Sequence, residues 1–105
     1  MRILAIDPGP LDSGFVIYED TVLCAEHMNN EDLVEDLRER WSRDTALAIE
    51  WIENYGHAVG RDVFQTVYWT GRFAEAWLRA SQANPLPLIM VPRRYVKIAL
   101  CGKTT

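Results

Sequence analysis

The chain has 105 residues, 49% of them hydrophobic, and a formal net charge of -4. A chain of this size builds one hydrophobic core and buries roughly 60 to 70% of the surface its unfolded form exposes, so the expectation is a single domain over residues 1–105. No apolar run approaches the roughly 18 residues that cross a bilayer, which excludes a helical membrane protein. Met1 leads straight into strand-forming residues instead of a basic and apolar leader, and Cys24 and Cys101 form a lone, widely separated pair without zinc-ligand spacing. Both features point to reduced thiols in the cytoplasm.

In chain order, Arg2 to Asp7, Ser13 to Glu19 and Val22 to His27 are expected as three strands of an antiparallel meander, with Glu19-Asp20-Thr21 as the tight turn between the last two. Asn29 or Asn30 then caps a helix over Glu31 to Trp41, which places Leu33, Val34, Leu37 and Trp41 on one face and acidic residues in the first turn. Thr45 to Ile52 reads as a fourth strand, and Glu53 to Arg61 as a loop. Asp62, forming a capping box with Gln65, opens a long helix to about Ser81 whose apolar stripe is Val63, Val67, Gly71, Ala74 and Leu78. Asn84-Pro85-Leu86-Pro87 breaks the chain before a short strand, Leu88 to Val91. Pro92 suits the first turn of a last helix reaching Leu100. Strands alternating with helices in this way make an α/β fold.

The charge is unevenly divided along the chain. Residues 1–60 carry four Lys or Arg against thirteen Asp or Glu, and residues 61–105 carry seven against two. Glu31, Asp32, Glu35, Asp36 and Glu39 belong to the solvated face of the first helix, which accounts for part of the acidity. Two acidic residues lack so simple a reading. An apolar strand, Ile3-Leu4-Ala5-Ile6, ends on Asp7 before Pro8-Gly9, and Leu47-Ala48-Ile49-Glu50-Trp51-Ile52 is a second apolar run interrupted by an acid. Two carboxylates held on neighbouring strands suit Mg²⁺, which takes oxygen ligands and is typically bound by one or two carboxylates together with substrate phosphates. The basic end, with Arg93, Arg94, Lys97 and Lys103, suits the phosphates themselves. His57, in the loop after Glu50, is a weaker candidate for proton transfer, and Asp12 reads as a turn former. Cys24, Glu26 and His27 have a metal-binding composition, but strand alternation aims Glu26 opposite to its neighbours. Trp69, Phe73 and Trp77 read as core or subunit interface.

Ile3-Leu4-Ala5-Ile6-Asp7-Pro8-Gly9, followed by Ser13-Gly14 and Tyr18-Glu19, resembles the opening of the RuvC-type Holliday-junction resolvases, members of the ribonuclease H-like superfamily. Leu47-Ala48-Ile49-Glu50 is similar to the strand bearing that family's second metal carboxylate, and Val91-Pro92-Arg93-Arg94-Tyr95-Val96-Lys97 with Gly102 resembles its Pro-x-x-Val-Lys segment. Val59-Gly60-Arg61-Asp62-Val63-Phe64, with Trp69-Thr70-Gly71-Arg72-Phe73, is similar to the shorter phage-borne members. The resemblance implies a ribonuclease H-like mixed sheet, three antiparallel N-terminal strands plus parallel strands, flanked by helices. It also implies a metal-dependent endonuclease of branched DNA, acting as a homodimer with Mg²⁺ or Mn²⁺ at Asp7 and Glu50 as catalytic and metal residues, and with Arg93, Arg94, Lys97 and Lys103 on the DNA.

Two departures qualify that expectation. The family's last metal carboxylates lie on a helix beyond the Gly102 region, so the chain is expected to be C-terminally incomplete and to lack that helix. Bacterial members place a base-stacking aromatic three residues after the second carboxylate, where this chain has Glu53, leaving Tyr55 as the nearest substitute for DNA contact. A catalytically inactive nucleic-acid-binding module of the same fold is therefore an alternative. An actin or sugar-kinase type of ATP-binding protein shares the strand-Asp-turn-strand opening, but needs a second Gly-rich phosphate hairpin and generally two domains, for which 105 residues leave no room.

Overall fold

The computed structural model describes residues 2–40, 42, 44–52, 60–81 and 88–93. The elements are β1 (Arg2–Asp7), β2 (Asp12–Glu19), β3 (Thr21–Asn29), α1 (Asn30–Arg40), β4 (Thr45–Trp51), α2 (Arg61–Ser81) and β5 (Leu88–Pro92). One five-stranded sheet has the order β3-β2-β1-β4-β5. The first three strands form the antiparallel meander, while β4 and β5 run parallel to β1. Parallel neighbours need a crossover, and the segments containing α1 and α2 supply the two that this sheet requires. Between β2 and β3 the chain reverses at Asp20, whose φ of 64° is a left-handed conformation that Asp adopts more readily than bulkier residues. The pairing then shifts register between Ile17 and Tyr18, so that Ile17 faces Cys24 and Tyr18 faces Val22, with Leu23 as the extra residue of a bulge.

Strand alternation sorts the side chains into two faces. Leu4, Ile6, Phe15, Ile17, Leu47 and Ile49 meet Leu33, Val34 and Leu37 of α1 and Phe73, Ala76 and Trp77 of α2 in one core. Each of the Leu, Ile, Val and Phe side chains among them, fully buried, contributes about 1.5–3 kcal/mol. The intervening residues Ala5, Asp7, Gly14, Val16, Ala48 and Glu50 point the other way, and both described helices pack on the core side. None of the described helices is long and apolar enough to cross a membrane.

The buried stripe of α2 differs from the expected one. Thr66, Thr70, Phe73, Ala76, Trp77 and Ser81 face the core, whereas Val67 and Leu78 are exposed. This rotates the helix by roughly 90° from the purely apolar stripe, taking about 100° per residue. The threonines can be buried because their hydroxyls donate within the helix, Thr66 to the Asp62 carbonyl at 2.8 Å and Thr70 to the Thr66 carbonyl at 2.9 Å. The helix also starts one residue early: the Gly60 carbonyl accepts from the amides of Val63 at 3.2 Å and Phe64 at 3.3 Å, so Asp62 is inside the first turn instead of capping it. Pro92 is the last residue of β5, and the chain turns helical at Arg93 directly after it. Pro92 pairs opposite Trp51, on an edge strand where a missing N–H is tolerated. Beyond Arg93, the expected last helix lies outside the described residues.

Candidate functional site

Asp7 is the final residue of β1, and Glu50 is the penultimate residue of β4. The parallel pairing of Ile6 with Ile49 makes them neighbours at one end of the sheet. Their carboxyl groups are within hydrogen-bonding reach of one another, and the side chain of Glu50 is only 13% exposed. Burial, then the hydrogen bond and charge of Asp7, raise the pKa of Glu50 above its ordinary 4.5, with Arg93 opposing the rise. Arg93 lies on the far side of Glu50, its Nε 3.1 Å from the Glu50 Oε1. The carboxylate pair is thus crowded with negative charge and tied to one cation. Among the described residues no group of three or more His, Cys, Asp or Glu is placed to hold a metal, so Asp7 and Glu50 stand as a pair.

The raised pKa has a testable sign. An acid whose pKa is higher in the folded state stabilises the fold most when protonated, below about 4.5, and that contribution is lost as pH rises through the raised value. Without divalent cations, the stability difference between the wild type and Glu50→Gln is expected to shift against the wild type on raising the pH through this window. Thermal denaturation of both proteins across the series measures it. A cation held between the carboxylates favours their charged forms and should reduce this loss.

The turn after Asp7 is held by a polar ring. The Gly9 amide donates to the Ser13 Oγ at 3.1 Å, the Ser13 hydroxyl donates to the Asn30 Oδ1 at 2.6 Å, and the Asn30 Nδ2 donates to the Gly9 carbonyl at 2.9 Å. The Asn30 amide also donates to the Leu11 carbonyl at 2.9 Å. Ser13 and Asn30 are each only 1% exposed. Gly9 is required sterically, since a Cβ there would clash with the Asp12 carbonyl oxygen. Of the two asparagines, Asn29 is the helix cap, its Oδ1 accepting from the Glu31 amide at 2.9 Å, which frees Asn30 to brace the loop that presents Asp7.

Asp7 and Glu50 open onto a concavity of about 700 Å³ floored by small side chains such as Ala5, Val16 and Ala48. His27 lines the same concavity, because Gly14 pairs with Asp7 on one side and His27 on the other. Glu26, paired with Phe15, points to the opposite face from His27, and Cys24 shares the Glu26 face, so the three do not form a metal site. Asp12 begins β2 opposite Asn29.

No family model matches the chain, and no curated protein sequence does. Among solved structures, RuvC from Thermus thermophilus in complex with a Holliday-junction substrate superposes with a TM-score of 0.63 at 21% identity, covering 96% of this chain and 70% of that one. A second Thermus thermophilus RuvC structure gives 0.62 at 22% identity, covering 99% and 71%. The chain has a RuvC-like fold.

In this RuvC-like frame, the sheet brings together Asp7, Glu50 and Arg93 of the residues singled out from the sequence. Arg94, Lys97, Lys103, Tyr55 and His57 lie outside the described residues. Sequence reasoning missed the bracing roles of Ser13 and Asn30 and the placement of His27 in the concavity. The adjacent asparagines were the available signal for the brace, since one helix N-terminus needs only one of them.

Proposed function

We propose that this chain is a metal-dependent endonuclease that cuts phosphodiesters in branched DNA, Holliday junctions above all, in recombination, repair or phage DNA processing. The observation that carries the reading is the convergence of Asp7 and Glu50, with Arg93 beside them, at one end of a RuvC-like sheet. The donor set fits Mg²⁺ or Mn²⁺: two oxygen-bearing groups, one largely buried and penalised for its charge until a cation compensates it. Such a cation, when bound, activates a water and stabilises the leaving oxygen of a phosphodiester. Asp7 and Glu50 hold it, and the ring of Gly9, Ser13 and Asn30 fixes the strand end from which Asp7 projects. Arg93, half-exposed at its present contact with Glu50, is close enough to the pair to turn its guanidinium to a phosphate. Arg94, Lys97 and Lys103 extend the basic contact, and Tyr55 stacks on a base.

The test is cutting of a four-way junction with Mg²⁺ or Mn²⁺ and its silencing by a chelator; metal-independent cutting would sink the mechanism. Arg93→Ala is expected to weaken junction binding uniformly across sequences and to reduce the slope of log affinity against log salt by about one. Titration by fluorescence anisotropy over roughly 50 to 200 mM salt reads that slope. One observation favours a second reading, an inactive DNA-binding module: among the described residues the carboxylates number two where two-metal cleavage is better served by more. Junction binding without any cutting would select it.

The active form is a homodimer, which suits a junction that is itself nearly two-fold. Support comes from α2, whose outer surface exposes Phe64, Val67, Tyr68 and Leu78, an aromatic-rich strip of the kind enriched in interfaces. Sedimentation at tens of micromolar is expected to give twice the chain mass, and Tyr68→Glu is expected to return it to the monomer.

A further inference from the structure

A row of chemistry-bearing residues crosses one end of the sheet. His27 on β3 pairs with Gly14 on β2, and Gly14 pairs with Asp7 on β1. Asp7 neighbours Glu50 on β4, and Arg93, just past β5, closes on Glu50. The carboxylates occupy the middle and nitrogen donors the two flanks. Arg93 is accounted for by its ion pair; His27 has no part in anything described so far.

Its side chain is directed toward the carboxylates. The imidazole Cε1 and Nε2 each lie 3.6 Å from the position a Gly14 Cβ would take. A Cβ at Gly14 would project from the same face as Asp7, since directly paired residues share a face. The ring therefore lies over β2, on the Asp7 side of its own strand, in space that Gly14 leaves open. Strands are about 4.8 Å apart, so the Asp7 and His27 backbones are separated by about 10 Å, and an imidazole lying over Gly14 spans about half of that. The remainder accommodates a phosphate oxygen between the ring and the carboxylates. It does not make His27 a metal ligand, because Asp7, Glu50 and His27 do not converge closely enough to hold one cation.

The register that produces this arrangement depends on the bulge. Tyr18 pairs with Val22 but Ile17 with Cys24; without Leu23 as the extra residue, Gly14 would face Glu26 instead of His27. A third carboxylate would then occupy the flank where a phosphate needs a donor. The bulge replaces a repulsive group with a donor at that one position.

We propose that His27 is a substrate-contacting residue, its imidazole donating a hydrogen bond to a phosphate oxygen of the DNA strand held at Asp7 and Glu50, on the flank opposite Arg93. This rests on the nuclease reading and adds a residue to it. The probe is thymidylyl-thymidine, a single phosphodiester, added to the full chain with Mg²⁺ while the ¹⁵N resonances of the His27 imidazole, assigned by comparison with His27→Gln, are followed. The resonances are expected to shift on adding the probe, and His27→Ala to weaken its binding roughly ten- to hundredfold, the range for a hydrogen bond to a charged group. Mg²⁺ affinity measured by calorimetry stays at the wild-type value in His27→Ala and is lost in Asp7→Asn. Gly14→Val, which keeps His27 but fills the space under its ring, is expected to weaken the probe similarly, whereas Glu26→Gln on the other face leaves it unchanged. A probe that binds with the imidazole unmoved, or equally well to His27→Ala, overturns the assignment of His27 alone. Absence of Mg²⁺ binding by the wild type overturns the metal reading on which it rests.

Discussion

Asp7→Asn is expected to abolish cutting of a four-way junction while sparing its binding. The substitution keeps the size of the side chain and its place at the end of β1, but removes one of the two charges available to a cation at the convergence of Asp7 and Glu50. Charge stabilisation by a metal is worth several kcal/mol in the transition state, so a loss of about 4 kcal/mol corresponds to a rate lower by roughly a thousandfold. Binding depends instead on cations such as Arg93, and relief of the carboxylate crowding leaves it intact or slightly tighter. Single-turnover cleavage and anisotropy on the same junction separate the two effects. Full cleavage by Asp7→Asn would remove the proposed mechanism, and equal losses of binding and cutting would point to a damaged fold.

The candidate pair was legible in the sequence because a strand has a strict period of two, and an acid at the edge of an apolar run identifies both its strand and its end. In the structure the same alternation puts Leu4, Ile6, Leu47 and Ile49 on the face opposite Asp7 and Glu50. The buried face of α2 was less legible. Thr66 and Thr70 count as polar in a hydropathy pattern, yet satisfy their hydroxyls inside the helix and enter the core beside Phe73 and Trp77. His27 was harder still, because its position follows from pairing across two strand boundaries and from a single-residue bulge. Strand alternation alone argued against a metal site at Cys24, Glu26 and His27; which of them meets Asp7 depends on register, which sends His27 there and Glu26 to the other face. Asn30 illustrates a third limit, since Asn29 and Asn30 are equivalent as caps in sequence and only the distances divide their roles.

Asn30→Ala is expected to carry the largest stability loss at the site, and to reach the chemistry through Asp7. Removing the amide strips the Ser13 hydroxyl of its acceptor and the Gly9 carbonyl of its donor, in a place where Ser13 and Asn30 are each 1% exposed. Buried groups left unsatisfied cost about 1–3 kcal/mol each, so the pair amounts to about 3 kcal/mol, or a fall in melting temperature of roughly 10–20 °C for a domain of this size. Asn29→Ala is the control: it removes one exposed cap, worth about 1 kcal/mol, and leaves the ring intact. Ser13→Ala breaks the same ring, so combining it with Asn30→Ala should cost less than the two single losses together. Below its lowered melting temperature, Asn30→Ala should also cut more slowly at saturating Mg²⁺, because the Gly9 turn no longer fixes the end of β1. Equal stability of Asn30→Ala and Asn29→Ala would show that the polar ring does not hold the turn, and Asp7 would then owe its position to the sheet alone.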